Sequence, residues 1–245
     1  SSDVCSSDLA QRELVARHPN HGTMNIDVVG FFRLAYRIFE ELSYVPEDLL
    51  EDEGKSMVIR KVMEKNKKKL KIFGPSMKKS GFIEELKSFF AEMYQYDISK
   101  EDLEEAAGNM EHPGLRAKMD DILLVMDEFE AYIEGRYLIS EQLLDVLADK
   151  IEDSGKLRDA VFYLDGFTGF TPIQRKVIKK LLKIGKQVYV TLTADESSIY
   201  REYREYELFA MPKRERRMLI LDAKEMGIRI DPDIICRPDA SGDRK

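Results

Sequence analysis

Cysteine, histidine and tryptophan are scarce in this chain. Its 245 residues include two cysteines, three histidines and no tryptophan. Two cysteines cannot form a disulfide framework or a cysteine-rich zinc site. The histidines, His18, His21 and His112, are too scattered along the sequence to suggest a shared metal ion. We therefore predict no metal site, and we interpret each histidine as a surface or loop residue.

Long apolar runs are also missing. No run approaches the roughly 20 residues that span a bilayer, and no secretory signal is present. Hydrophobic residues make up 43% of the chain and charged residues 35%, which is typical of a helix-rich globular protein. The sequence therefore favours a cytoplasmic protein with no membrane partner.

The motifs of the common catalytic machineries are absent from the sequence. It has no G-x-x-x-x-G-K-S/T phosphate-binding loop and no G-x-S-x-G nucleophile motif. The net charge is −7, which is not typical of an isolated nucleic-acid-binding domain. We assign no catalytic residue.

The first nine residues, SSDVCSSDL, match the translation of a short-read sequencing adapter. We interpret residues 1–9 as an artefact and exclude them from fold reasoning, the alternative being a disordered Ser/Asp-rich tail. Cys236 is then the sole native thiol, and the net charge becomes −5. Because no initiator methionine is present, we expect a fragment of a protein that begins upstream.

Hydrophobic periodicity predicts an α/β segment followed by a helical block. Residues 25–30 (NIDVVG) have the length and β-branching of a strand, and from Phe31 apolar residues recur at helical spacing up to Pro46. The block at about 52–157 contains a helix from Leu115 that Gly135 is predicted to cap. The acidic stretch DEFE within that helix is interpreted as solvent-facing. Other helices are predicted at 53–65, 82–95, 99–107 and 140–152.

Strand character returns in the last third of the chain. Residues 160–164 and 187–195 are predicted strands, and a helix from Pro172 lies between them, which makes a parallel βαβ unit. A further helix at 212–226 leads to a predicted strand at 228–230. We therefore predict one α/β domain formed by 10–50 and 158–235, a helical insertion at 51–157, and a truncated linker at 236–245.

Asp165 ends the first of these strands, in AVFYLDGFTGFTPIQ (160–174). Nucleotide-driven motors hold their magnesium at such a position, and hydrolysis needs a neighbouring carboxylate and a lysine-bearing loop. Here the next residue is Gly166. We favour the interpretation that Asp165 caps the turn or the helix that begins at Pro172. The nucleotide and magnesium site at Asp165 would then be vestigial, with weak residual nucleotide binding in the whole subunit.

A basic run occupies residues 55–79. One interpretation is a solvated helix end and loop, and the other is a surface that tracks a phosphate backbone. We favour the solvated helix end and loop. The cations are Lys55, Arg60, Lys61, Lys65, Lys67, Lys68, Lys69, Lys71, Lys78 and Lys79, against Glu64 alone.

Six stretches, in order along the chain, resemble one family. They are DVVGFFRLAYRIFEE, GKSMVIRKV, KKSGFIEELKSF, LRAKMDDILLVMDEFE, FYLDGFTGFTPIQ and VTLTADE. The family is the AddB component of the AddAB (RexAB-type) helicase–nucleases, which process DNA double-strand breaks for homologous recombination. The resemblance implies a partial RecA-like (P-loop NTPase-type) parallel sheet interrupted by an all-helical insertion, as in superfamily 1 helicases.

The resemblance also implies cofactors and partners for the full-length protein. These are ATP with Mg²⁺, a 4Fe–4S cluster, an AddA-type motor and nuclease subunit in a heterodimer, and single-stranded and duplex DNA. The full protein would be an ATP-dependent helicase and exonuclease subunit. This chain lacks the phosphate-binding loop, the second motor carboxylate and the nuclease domain, so we expect no cofactor within it.

The resemblance also implies that proteins of this family recognise the Chi recombination hotspot in single-stranded DNA. The matching positions here are Phe31, Arg33 and Tyr36. Aromatic rings stack on bases, and a guanidinium forms two hydrogen bonds to guanine. Phe31 also falls on the apolar stripe, so core packing competes for it. The alternative functions are a structural module that docks onto the partner subunit, or a functional ATPase that has lost its lysine loop by truncation.

Overall fold

The structure is a computed structural model that describes residues 2–19, 25–77, 79–195 and 199–236. This part of the chain is mixed α/β, with nine α-helices and two parallel sheets of two short strands each. The chain divides into two compact units. The first comprises residues 1–154 and 171–177, and the second comprises 155–170 and 178–245.

The first unit is predominantly helical. Its elements are α1 (Ser2–Arg17), α2 (Phe31–Glu41), β1 (Asp48–Leu50), α3 (Asp52–Asn66), α4 (Ser80–Gln95), α5 (Lys100–Gly108), α6 (Pro113–Ile133), β2 (Tyr137–Ile139) and α7 (Leu143–Lys150). Short 3-10 turns lie at Gly74–Ser76, Ser140–Gln142 and Ile151–Asp153. The helices predicted at 53–65, 82–95, 99–107 and from Leu115 are therefore confirmed to within a few residues.

Helices α3, α4 and α6 pack around the hydrophobic core of this unit. Residues one turn apart bury the same face of each helix, as with Ile59 and Met63 on α3 and Val125 and Phe129 on α6. Ile83 of α4 is also fully buried. Burying a side chain of this size contributes about 2 kcal/mol relative to leaving it in water. The apolar spacing in the sequence is therefore sufficient to place these helices.

Helix ends in this unit follow local sequence signals. Ser99 begins α5 with a capping box, in which its hydroxyl accepts a hydrogen bond from the Asp102 amide at 3.1 Å. Gly135, predicted as a helix cap, follows α6 with φ at +65°. This left-handed turn leads directly into β2, which pairs in parallel with β1. The β1–β2 pair was not predicted, because three residues are too few for an alternation pattern.

The predicted strands at 25–30 and 228–230 are wrong. Residues 26–30 have no regular structure, and the described parallel pairs involve other segments. A strand requires a neighbour that satisfies its backbone groups, which composition alone does not provide. Residues 228–230 follow a helix cap, in which Gly227 has φ at +68° and the Ile228 amide donates to the Ala223 carbonyl at 2.8 Å.

The last third of the chain contains the predicted βαβ connection, whose two strands belong to the second unit. Strands β3 (Val161–Leu164) and β4 (Gln187–Val190) are parallel, and α8 (Pro172–Ile184) connects them. Helix α9 (Ala210–Glu225) follows. The turn from α8 to β4 requires glycine, since a Cβ at Gly185 would lie 2.7 Å from the Phe162 ring. The larger RecA-like sheet and the predicted domain boundaries stay predictions.

Candidate nucleic-acid interface

Helix α2 presents an aromatic and basic face to solvent. The helix buries Ala35, Ile38 and Phe39, and it packs against α7. The opposite side exposes Arg33 and Tyr36, and 46% of the Tyr36 surface is accessible. The helical period therefore places these two residues on the outward side, as the sequence predicted.

The three residues predicted to contact DNA differ in accessibility. Arg33 forms no ion pair with any described residue, so its guanidinium remains available to a ligand. The Tyr36 ring packs edge-on against the Phe39 ring, with 6.3 Å between centroids, which limits its motion. Phe31 is only half-buried and lies beside the apolar stripe. Arg33 and Tyr36 are thus brought together on one face, and Phe31 is placed at its margin.

Sequence reasoning missed Phe32. It is 43% exposed and lies one helical turn before Tyr36 on the same face. Phe32 did not fit the apolar stripe, and that misfit was the signal that could have identified it. Arg37 completes the face and pairs with Asp27. The outward face of α2 therefore carries Phe32, Arg33, Tyr36 and Arg37, which we name the α2 face.

Asp165 follows the carboxyl end of β3, as predicted. It is exposed, and the Thr191 hydroxyl, just beyond β4, donates a hydrogen bond to it. Gly166 has φ at +79° and turns the chain away from the strand. The favoured interpretation is wrong in one part, since Asp165 does not cap α8. Thr171 caps that helix, because its side chain and that of Gln174 bond to each other's amides.

Comparison with known proteins identifies the family. Residues 8–244 match the family described as ADDB, N-terminal. The chain belongs to this family. The resemblance found in the sequence is thereby confirmed.

Relatives of this ADDB-family chain are named as the B subunits of ATP-dependent helicase/deoxyribonucleases. The protein of Lachnoclostridium phytofermentans is 41% identical over 236 residues, which cover 95% of this chain and 20% of the relative. The protein of Caldanaerobacter subterraneus is 36% identical over 211 residues, which cover 86% of this chain and 18% of the relative. The protein of Listeria innocua is 34% identical over 214 residues, which cover 87% of this chain and 18% of the relative. The chain thus spans about a fifth of the length of these relatives.

Several lysines of the basic run in this ADDB-family chain are held by acidic side chains. Lys65 lies 2.7 Å from Glu128, and Lys71 lies 2.6 Å from Asp120, both on α6. Lys55 is buried and pairs with Glu141. These contacts favour a structural role for the three lysines. Lys78 lies outside the described residues.

Buried Asp121 organises the loop that carries the last part of this run. Its carboxylate accepts hydrogen bonds from the amides of Lys71, Ile72 and Phe73, at 2.8, 2.7 and 2.9 Å. Three convergent amides stabilise a carboxylate strongly. The loop between α3 and α4 is therefore fixed from within the fold.

The acidic stretch 127–130 is less exposed than the sequence predicted, since its acidic residues are partly buried and paired. Asp127 pairs with Lys100 at 2.7 Å, and the hydroxyl of Tyr94 donates to Glu130 at 2.8 Å. Burial, together with the negative charge of Glu130, raises the pKa of Tyr94 above its ordinary value. These carboxylates connect α6 to its neighbouring helices.

The described part of this ADDB-family chain contains no candidate metal centre. Its residues include no group of three histidine, cysteine or acidic side chains that could hold a metal ion. His112 caps α6 by accepting from the Gly114 amide at 3.1 Å, whereas His21 lies outside the described residues. None of the described helices is long and apolar enough to cross a membrane.

Proposed function

We propose that this chain is the part of a helicase/deoxyribonuclease B subunit that guides single-stranded DNA and scans it for the Chi hotspot. The observation that carries this proposal is the α2 face, where exposed aromatic rings flank an arginine that no described acid neutralises. The printed names of the relatives supply the setting, since those proteins are helicase/deoxyribonuclease subunits.

The chemistry of the α2 face suits unpaired bases. Phe32 and Tyr36 offer ring surface on which bases stack whatever their identity. Arg33 supplies base specificity, because a guanidinium donates two parallel hydrogen bonds to O6 and N7 of guanine. A strand that passes this face is therefore held by stacking, and a guanine at the right position binds more tightly than other bases.

The residues of this chain do not fit the cofactors implied for the whole subunit. An iron–sulfur cluster needs several cysteine thiolates, and Cys236 is the only cysteine whose side chain is described. A hydrolysing ATP site needs a carboxylate beside Asp165, where the chain has Gly166. The proposed role is therefore that of a guide in the cytoplasm, working with an AddA-type motor subunit in double-strand break repair by homologous recombination.

Replacing Arg33 by alanine in the full-length two-subunit complex tests this role. We expect hotspot-dependent attenuation of DNA digestion to fall at least about fivefold, since a bidentate arginine–guanine contact discriminates by about 1–3 kcal/mol. The translocation rate should be unchanged. Glu40→Ala, an exposed substitution on the same helix, is the control and should retain the hotspot response. An unaltered response in Arg33→Ala would favour the docking-module alternative.

The truncated-ATPase alternative predicts that ATP turnover depends on Asp165, whereas the proposed function predicts that it does not. In the full-length protein, paired with an inactivated motor partner, we expect Asp165→Ala to leave ATP turnover unchanged. The physical reason is that no second carboxylate follows Asp165 to activate water, and one Asp165 oxygen already accepts a hydrogen bond from Thr191. Thr168→Ala, in the same loop, is the matched control. Hydrolysis that depends on Asp165 would overturn the assignment of a non-motor role.

A further inference from the structure

Tyrosine and arginine alternate in a segment beyond β4 that the α2 face does not include. Residues 200–217 read YREYREYELFAMPKRERR. We name this stretch the Tyr/Arg segment. Tyrosines recur every third residue at its start, and arginines lie between and after them. Interleaved aromatic and cationic side chains are the composition of surfaces that bind single-stranded nucleic acids.

The rings of this segment are exposed yet held in place. Tyr200 is 63% exposed and Tyr206 is 78% exposed. The Arg216 guanidinium lies 4.9 Å from the Tyr200 ring centroid, and two of its nitrogens bond to Asp233 at 3.1 and 2.7 Å. Arg204 bonds to the Tyr206 hydroxyl at 2.6 Å. Rings that are fixed before binding lose less entropy when a base stacks on them.

The segment carries six cationic side chains against four glutamates, so its net charge is slightly positive. Arg201, Arg214 and Arg217 form no ion pair with any described residue. Glu207 is already engaged by buried Lys213 at 2.9 Å. Arginines that form no ion pair are available to phosphate oxygens.

The position of the segment is typical of ligand sites in α/β proteins. It begins ten residues beyond the carboxyl end of β4, and its last eight residues form the first half of α9. A Cβ at Gly169 would lie 3.3 Å from Met211, so the loop after β3 lies against the first turn of α9. Ligands of parallel sheets bind beyond the carboxyl ends of the strands.

We infer that the Tyr/Arg segment is a second contact for single-stranded DNA, in which bases stack on Tyr200 and Tyr206 and phosphates bind Arg201, Arg214 and Arg217. This inference rests on the proposed function, because it assumes that the subunit handles an unpaired strand. Duplex DNA does not fit, since its bases are stacked on each other and offer no free face to a tyrosine. The contact is independent of base sequence, whereas that of Arg33 is directed at guanine.

Photo-crosslinking of the full-length protein tests this contact directly. The probe is a fluorescent oligo-dT strand that carries 5-iododeoxyuridine, and peptide mapping locates the crosslinks. We expect crosslinks at Tyr200 or Tyr206, and we expect the double variant Tyr200→Ala/Tyr206→Ala to bind oligo-dT about 30-fold more weakly. Tyr96→Ala removes an exposed tyrosine of the first unit and should bind normally.

The salt dependence of binding provides a readout that misfolding would not mimic. Arg201→Gln/Arg217→Gln should lower the slope of log affinity against log salt by about 1.4, which corresponds to about 0.7 for each lost phosphate contact. Arg229→Gln, at an exposed arginine paired with Asp231, should leave the slope unchanged. The tyrosine variant should weaken binding with the slope preserved.

The outcomes separate the two proposals. Crosslinks on the α2 face with none in the Tyr/Arg segment would overturn this inference and leave the proposed function standing. Absence of oligo-dT binding by the wild-type protein and its complex would overturn both. Normal oligo-dT affinity and salt slope in the tyrosine and arginine variants would overturn the inference alone.

Discussion

Replacing Asp121 by alanine is expected to lower the free energy of unfolding of the helical unit by about 5 kcal/mol. The Asp121 carboxylate is the acceptor for three consecutive amides, those of Lys71, Ile72 and Phe73. Each charge-assisted hydrogen bond contributes about 1.5–3 kcal/mol, and a buried donor left unpaired adds a desolvation cost. Hydrogen exchange of the full-length protein measures the loss, as faster exchange at 71–73 and then throughout α3, α4 and α6.

Two neighbouring substitutions serve as controls for this prediction. Asp120→Ala removes an adjacent carboxylate that contacts the exposed Lys71 ammonium, and it should cost less than about 1 kcal/mol. Asp121→Asn keeps one oxygen acceptor but places an amide group near a backbone donor, so we expect an intermediate cost of about 2 kcal/mol. Equal effects of Asp120→Ala and Asp121→Ala would refute the role assigned to the buried carboxylate.

Replacing Lys55 by methionine is expected to destabilise the same unit by about 3 kcal/mol. The Lys55 ammonium is buried and lies 2.8 Å from Asp52 and 2.9 Å from Glu141. The side chain of Glu141 is 11% exposed, so removing the lysine leaves a carboxylate without its counter-charge in a poorly solvated place. Protection of α3 against hydrogen exchange is again the measurement.

The contribution of Lys55 should depend on pH. Burial favours the neutral amine, but hydrogen bonds to Asp52 and Glu141 outweigh it and raise the pKa of Lys55 above its ordinary 10.5. The folded state therefore binds this proton more tightly than the unfolded state. The stability that Lys55 contributes is fully present below pH 10.5 and is lost as the pH rises through the folded pKa. The difference in free energy of unfolding between the wild type and Lys55→Met should therefore shrink as the pH rises through the folded pKa.

Matched variants separate the charge from the packing of Lys55. The double variant Lys55→Met/Glu141→Leu removes both charges and should recover most of the lost stability. Lys67→Met changes an exposed lysine whose nearest carboxylate, Glu64, is 3.9 Å away, and it should alter stability by less than about 0.5 kcal/mol. A double variant as unstable as the single one would show that the packing of the lysine stem matters more than the pairing.

Much of the candidate site was predictable from the sequence because it lies on one helix. The spacing of Ala35, Ile38 and Phe39 fixes the buried side of α2, so Arg33 and Tyr36 must lie opposite. Phe32 was missed because the family positions favour Phe31. Periodicity alone would have placed Phe32 outward, next to Tyr36.

Contacts between distant parts of the chain were not predictable in the same way. The interpretation of residues 127–130 as solvent-facing was incomplete because their partners, Lys65, Tyr94 and Lys100, lie on other helices. The strand predicted at 25–30 failed for a related reason, since β structure depends on a neighbouring strand that local composition does not specify.

The sequence by itself determined the family, the helices, the βαβ connection and the outward position of Arg33 and Tyr36. These follow from local periodicity and from motif order, which a linear chain displays in full. Only the tertiary structure decided which charges are neutralised. It pairs Lys55, Lys65 and Lys71 with carboxylates and leaves Arg33 and Arg217 without one among the described residues. The physical reason is that an ion pair depends on distance in space, which only the packed chain defines.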